Sequence, residues 1–144
     1  MALNVIIPKC DSAINQTLVP SAAYTASDTA GPWLADFFSS AEITLVVTTC
    51  SGTLNLFLQS LQPDDTTYAD IAAWPQMTTA VYTTTGTVRL SFVNGGNTID
   101  VTKDGSLTAN SVLTVAFGAK QRVKYTIAGT GATVTFGVFG NFRA

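Results

Sequence analysis

The 144-residue chain is 47% hydrophobic and only 11% charged, with seven Lys and Arg against nine Asp and Glu and no histidine. That length suits one domain, and the hydrophobic fraction excludes a disordered polypeptide. A net charge of −2 argues against nucleic-acid binding, and so few charges make for a surface that tends to associate.

Residues 1–20 read as an extended N-terminal arm, and 21–144 as a β-sandwich domain. Pro8 and Pro20 bracket a polar stretch, and the apolar runs Val5-Ile6-Ile7 and Leu18-Val19 are short. Proline denies helix interiors and removes ladder donors. Such a segment can add to the exposed sheet edge of a neighbour, or it can be an ordinary first strand of the domain. Under the arm reading, deleting 1–20 leaves a folded domain that no longer assembles. Next comes a dense apolar cluster, Trp33, Leu34, Phe37 and Phe38, expected in the core or at a subunit interface.

From residue 41 the pattern is β throughout. The run 41–49 is a strand, Ser51-Gly52 a turn, and 53–59 a strand with Leu54, Leu56 and Leu58 on one face. Gln62-Pro63-Asp64-Asp65 is a turn. Residues 68–74 fit a helical turn or a loose strand ended by Pro75. Residues 80–83 and 88–93 look like a hairpin around Gly86, and Asn94-Gly95-Gly96-Asn97 is the strongest turn signal. Ile99 and Val101 lead to a turn at Asp104-Gly105, and 112–117 forms a further strand. The last hairpin pairs 121–127 with 133–139 around Gly129-Thr130-Gly131, with Val123, Tyr125, Ile127, Val134, Phe136 and Val138 inward. Roughly eight short strands predict an all-β chain, an antiparallel sandwich or jelly-roll.

Nothing in the sequence points to catalysis. Without histidine the usual general base and the commonest zinc ligand are missing. Cys10 and Cys50 are expected as free thiols. Asp64, Asp65 and Asp70 lie near one another, but Asp64-Asp65 reads as a turn and not as a calcium loop. The expectation is no enzyme, no cofactor and no metal. Lys120, Arg122 and Lys124 share one strand face, read as solvated, and Trp33, Trp74, Tyr24, Tyr68 and Tyr82 read as core or interface ahead of a sugar platform. No run of about 18 apolar residues marks a membrane span, and the N-terminus lacks the pattern of a secretory signal.

Three segments carry a resemblance: Ser21 to Ser27; Glu42 to Thr48 with Ser51 to Leu54; and Lys124 to Gly131 before the closing strand. In pattern and phrase, across most of 21–139, the chain resembles small β-sandwich virion proteins of tailed bacteriophages. The resemblance carries no diagnostic catalytic or ligand motif. It implies a capsid decoration (cement) protein, assembled in the host cytoplasm, that forms homo-oligomers and binds other virion proteins such as the major capsid protein. A neck, tail or fibre component, or a glycan-binding module exposing Trp74, are the alternatives. The residues expected to meet partners are Val5, Ile6, Ile7, Leu18, Val19, Trp33, Phe37 and Phe38.

Overall fold

The computed structural model describes residues 13–35, 37–95, 107–113 and 118–144. They form one antiparallel sheet of eight strands, as an all-β chain requires. In chain order these are β1 (Ala13–Tyr24), β2 (Asp28–Leu34), β3 (Ser40–Leu61), β4 (Tyr68–Ala73), β5 (Met77–Thr78), β6 (Thr87–Val93), β7 (Ser111–Val112) and β8 (Lys120–Arg143), with one helix, α1 (Thr79–Thr84), between β5 and β6.

Two strands set the architecture. β3 and β8 pair along almost their whole length, from Ser40 opposite Arg143 to Ser60 opposite Gln121. The expected turns at Ser51-Gly52 and Gly129-Thr130-Gly131 are therefore kinks within continuous strands, and neither expected hairpin forms. The ladder skips between Ser51–Thr133 and Thr53–Ala128, where one residue of β3 faces four of β8. Inward parity changes there in both strands: Ile43, Leu45 and Val47 give way to Leu54, Leu56 and Leu58, and Val123 and Tyr125 to Val134, Phe136 and Val138. A local apolar pattern cannot separate that parity change from a reversal, because both interrupt alternation at a glycine.

Glycine is required at the kink. Gly52 has φ +110, and a Cβ there would meet the Ala128 carbonyl and the Ala132 methyl at 2.6 Å. Gly131, with φ +64, has open space around it.

The kink divides the sheet into two halves. One runs β1, β8 (133–143), β3 (40–51), β6; the other runs β2, β8 (120–128), β3 (53–61), β4, β7, with β5 against β3 at 53–54. Their apolar faces meet. Tyr125 of one half lies 5.2 Å from Phe136 of the other, Trp33 6.2 Å from Phe142, and Trp74 5.9 Å from Phe92 (ring centroids). Every core position expected on β3 and β8 is buried except Ile127, which is half-buried beside the kink.

Three local expectations change. Residues 80–83 lie in α1 and not in a strand: the Thr78 hydroxyl accepts from the Val81 amide at the helix start, and Thr83 and Thr84 hydroxyls bond back to the carbonyls of Ala80 and Val81. β6 consequently pairs with β3, from Val93–Ser40 to Thr87–Val46. Residues 68–73 are a full strand, β4, paired to β3. The stretches around Ile99, Val101 and Asp104-Gly105, and 114–117 of the strand expected at 112–117, lie outside the described residues, as do Gly96 and Asn97.

The arm reading fails for residues 13–20, which belong to β1 and pair with β8, from Ala13–Arg143 through Val19–Val138. Leu18 and Val19, expected to meet a partner, are instead buried in the chain's own core. Two apolar side chains sufficed because β8 supplies the rest of the surface they bury against. Val5, Ile6, Ile7 and Cys10 lie outside the described residues. Cys50 is a buried free thiol, and burial pushes its pKa up.

Two outcomes follow. Gly52→Ala should cost about 2–4 kcal/mol in chemical denaturation, and Gly131→Ala about 1 kcal/mol, because only the first adds a clash to positive φ. Deleting 1–20 should destabilise the fold by at least about 3 kcal/mol in chemical denaturation, through loss of Leu18 and Val19 burial.

Candidate interaction surface

One end of the molecule gathers exposed apolar side chains. The β2–β3 connection turns tightly there, with the Phe38 amide donating to Ala35 O (3.2 Å) and the Ala35 amide to Ala119 O (3.1 Å). This turn leaves Phe37 57% exposed and Leu34, at the end of β2, 44% exposed. Beside it β6 ends at Val93, 66% exposed and opposite Ser40. Asn94 fastens the two: its amide donates to Ser39 O (2.6 Å), and its Nδ2 to Phe38 O (2.8 Å).

Beneath this rim sits an aromatic layer. Phe142 is buried and contacts Phe38 at 5.1 Å and Trp33 at 6.2 Å between ring centroids. The sequence-predicted cluster thus divides: Trp33 and Phe38 pack half-buried against Phe142, while Phe37 faces solvent. The Trp33 indole N–H is buried without a hydrogen-bond partner, and so is the side-chain amide of Gln121, its neighbour across the β2–β8 ladder. β1 starts at the same end, since Ala13 pairs with Arg143, which in turn pairs with Ser40. β1 thus starts at the same end of the half-sheet as Val93, on the opposite edge, with β8 and β3 between them.

The sequence missed Val93 because strand alternation marks which face a residue takes and not whether anything covers it. It also missed β2, whose ladder is interrupted between Ala30 and Trp33, around Gly31-Pro32.

No family model, curated protein or solved structure matches this chain.

The other singled-out residues lie elsewhere. Asp64 forms a turn: its carboxylate accepts from the Thr67 hydroxyl and from the Thr66 and Thr67 amides at 3.0 and 2.8 Å. Asp65 beside it has φ +60. Asp70 is not part of that cluster. Fully buried on β4, it accepts from Gln59 Nε2 (2.8 Å) and from the Leu107 amide (3.0 Å). Gln59 Oε1 accepts in turn from Arg122 Nε (2.7 Å), and the Arg122 guanidinium stacks 4.0 Å from the Tyr68 ring. The expected basic stripe is thereby broken: Lys120 is exposed, but Arg122 is held half-buried by Gln59 and Tyr68. No cluster of three or more metal-ligating side chains occurs among the described residues. No helix among them is long and apolar enough to cross a membrane.

The five large aromatics do not form one platform. Trp74 is 1% exposed, with its indole N–H donating to Val88 O (3.3 Å), so it cannot present a sugar-stacking surface. Tyr24 packs on Tyr125 and Phe136, and Tyr68 lies under Arg122.

The Thr67 hydroxyl, with the Thr67 and Thr66 amides, holds the Asp64 carboxyl down at about 2. A carboxylate with a depressed pKa stabilises the fold above its unfolded value, and the contribution is lost as pH falls from about 4 through the folded pKa. Carboxyl NMR titration should place the Asp64 midpoint near 2, and Thr67→Val should move it back toward the ordinary aspartate range.

Proposed function

We propose that the protein is a structural component of a tailed-bacteriophage virion, a capsid decoration protein that joins copies of itself and the major capsid protein. It acts by binding and carries no catalytic group, cofactor or metal in that role. The observation behind the assembly half of this reading is the exposed end formed by Leu34, Phe37 and Val93 where β1 begins. The virion half rests on the sequence resemblance.

An end of this kind suits a docking site. Each large apolar side chain left in water forgoes about 1.5–3 kcal/mol of burial, and Leu34, Phe37 and Val93 are each exposed at this end of a chain with few charges to repel a neighbour. The occupant we assign is the segment Leu3 to Ile7 of an adjacent copy. Apart from Asn4 it is apolar, and it precedes the start of β1 at the same end in each subunit by a few residues, so a reciprocal exchange around a symmetry axis brings each segment to a neighbour's rim. Among the described residues, β1 and β6 are the outer strands of their half-sheet, and their outer edges suit further backbone pairing. A neck, tail or fibre position uses the same surface. Copy number separates these sites: hundreds per particle for decoration, about a dozen or fewer for the others.

The test pairs a particle co-sedimentation assay with sedimentation velocity of the free protein. Phe37→Ser with Val93→Ser, and separately deletion of 1–12, should each weaken self-association and particle binding at least about tenfold, with little change in the thermal melt. Unaltered association in both variants would remove this end from the assembly. Self-association lost without any particle binding by the unaltered protein would retain the interface and overturn the virion assignment.

A further inference from the structure

The outer face of the half-sheet β1–β8–β3–β6 carries a shallow depression of about 460 Å³, away from the apolar rim's aromatic layer. The ladder fixes its composition row by row. Asn15, Asn141, Glu42 and Ser91 stand side by side across the four strands, and Thr17, Phe139, Thr44 and Arg89 form the next row. Arg143 borders the first row and also lines a smaller hollow that continues toward Ser91 and Val93. Four strands at about 4.8 Å spacing give a trough roughly 14 Å long.

Two features set this trough apart from an ordinary solvated sheet face. Phe139 projects outward, 38% exposed, and its ring lies over Gly137, where a Cβ would stand 3.0 Å from the ring. The absence of a side chain at 137 lets the ring lie against the sheet and show a flat face. Around it the polar side chains are already aligned by one another. Arg143 Nε donates to Asn141 Oδ1 (3.1 Å), and Asn141 Nδ2 donates to Asn15 Oδ1 (2.6 Å). Arg89 and Glu42 face each other at a loose 3.8 Å.

The arrangement offers one apolar plane bordered by amides, a carboxylate and guanidinium groups, so donors and acceptors alternate within reach of the ring. A pyranose has the complementary construction, with an apolar C–H face and a girdle of hydroxyls that both donate and accept. Charge narrows the choice. Two of the chain's three arginines border the trough against one carboxylate, Glu42, which Arg89 already faces. The terminal nitrogens of Arg143 remain to take an anion, and a carboxylate fits a guanidinium fork. The geometry points to a binding site for an acidic saccharide, with Phe139 as the stacking platform, Asn15 and Asn141 as hydroxyl partners and Arg143 as the carboxylate partner. The reading differs from a platform built on Trp74, which is buried, and is independent of the assembly role.

The probes are trigalacturonate and its fully methyl-esterified form, which keeps the hydroxyls and removes the charge. The full chain is titrated with each while backbone amide NMR shifts are followed. Saturable shifts confined to residues near 15–17, 42–44, 89–91 and 139–143 are expected with the acid, with affinity about tenfold weaker for the ester. Phe139→Ala should abolish the shifts. Arg143→Gln should bring the acid down to the ester's affinity and leave the ester's own unchanged, a readout that general loss of folding would not give. No saturable shift with either probe, equal affinity for both, or shifts that survive Phe139→Ala would overturn the assignment.

Discussion

The hydrogen-bonded ladder between β3 and β8 is the constraint on which the rest of the molecule depends. These two strands join Ser40–Leu61 to Lys120–Arg143 and form the shared spine of both half-sheets. β1 and β2 attach to β8, and β4, β5 and β6 attach to β3. Remove the ladder and the strands attached to β8 share no paired strand with those attached to β3. The kink at Gly52 and Gly129 turns that spine from a flat ribbon into a folded one, because the extra residues in β8 swing one half over the other and bring Tyr125 against Phe136. Backbone geometry at two glycines thus decides where dozens of side chains meet.

From that spine the surfaces follow. Inward positions are filled by Leu, Ile, Val and Phe, and outward positions mostly by Thr, Ser and Asn, so polarity is supplied by hydroxyls and amides more than by charge. The outer side of β3's second half departs from this, with residues 56–61 all buried. Gln59 and Asp70 are buried there in a hydrogen-bonded chain that reaches Arg122 and the Leu107 amide. A buried carboxylate is tolerable where each oxygen has a donor, as both of Asp70's do. The molecule therefore presents distinct surfaces: a covered outer face, a polar trough around Phe139, and an apolar rim at Phe37.

The sequence carried the all-β class and the inward faces of β3 and β8, since period-two alternation in 41–58 and 121–138 reports directly which side chains face inward. It misassigned what joins those runs. Gly52 and Gly129 look like turn glycines because positive φ serves a bulge and a turn equally, and only pairing partners a hundred residues away distinguish them. Leu18 and Val19 looked too sparse to be core for the same reason: the surface that buries them comes from the other end of the described chain. Residues 80–83 read as strand because threonine and valine favour extended backbone, yet the Thr78 hydroxyl caps a short helix there. Phe37 was legible as an interface candidate, whereas Val93 and Phe139 became visible as surface features only once their neighbours were placed.

The long ladder also governs the order in which the molecule can be made. The last residues of β3 precede the first of β8 by roughly sixty positions. At about 5–20 residues per second, a ribosome needs several seconds to supply the partner strand after β3 has emerged. For that interval a 22-residue strand rich in Leu, Ile and Val lacks its β8 partner, with β6 pairing it from 40 to 46 and β4 from 57 to 61. Closing Ser39 and Arg143, 104 positions apart, comes at the end of the process. Topologies dominated by such distant pairings fold slowly. The nascent chain therefore has a period of vulnerability to wrong strand partners, including β3 of another nascent copy, and its yield in a cell depends on how that period is covered.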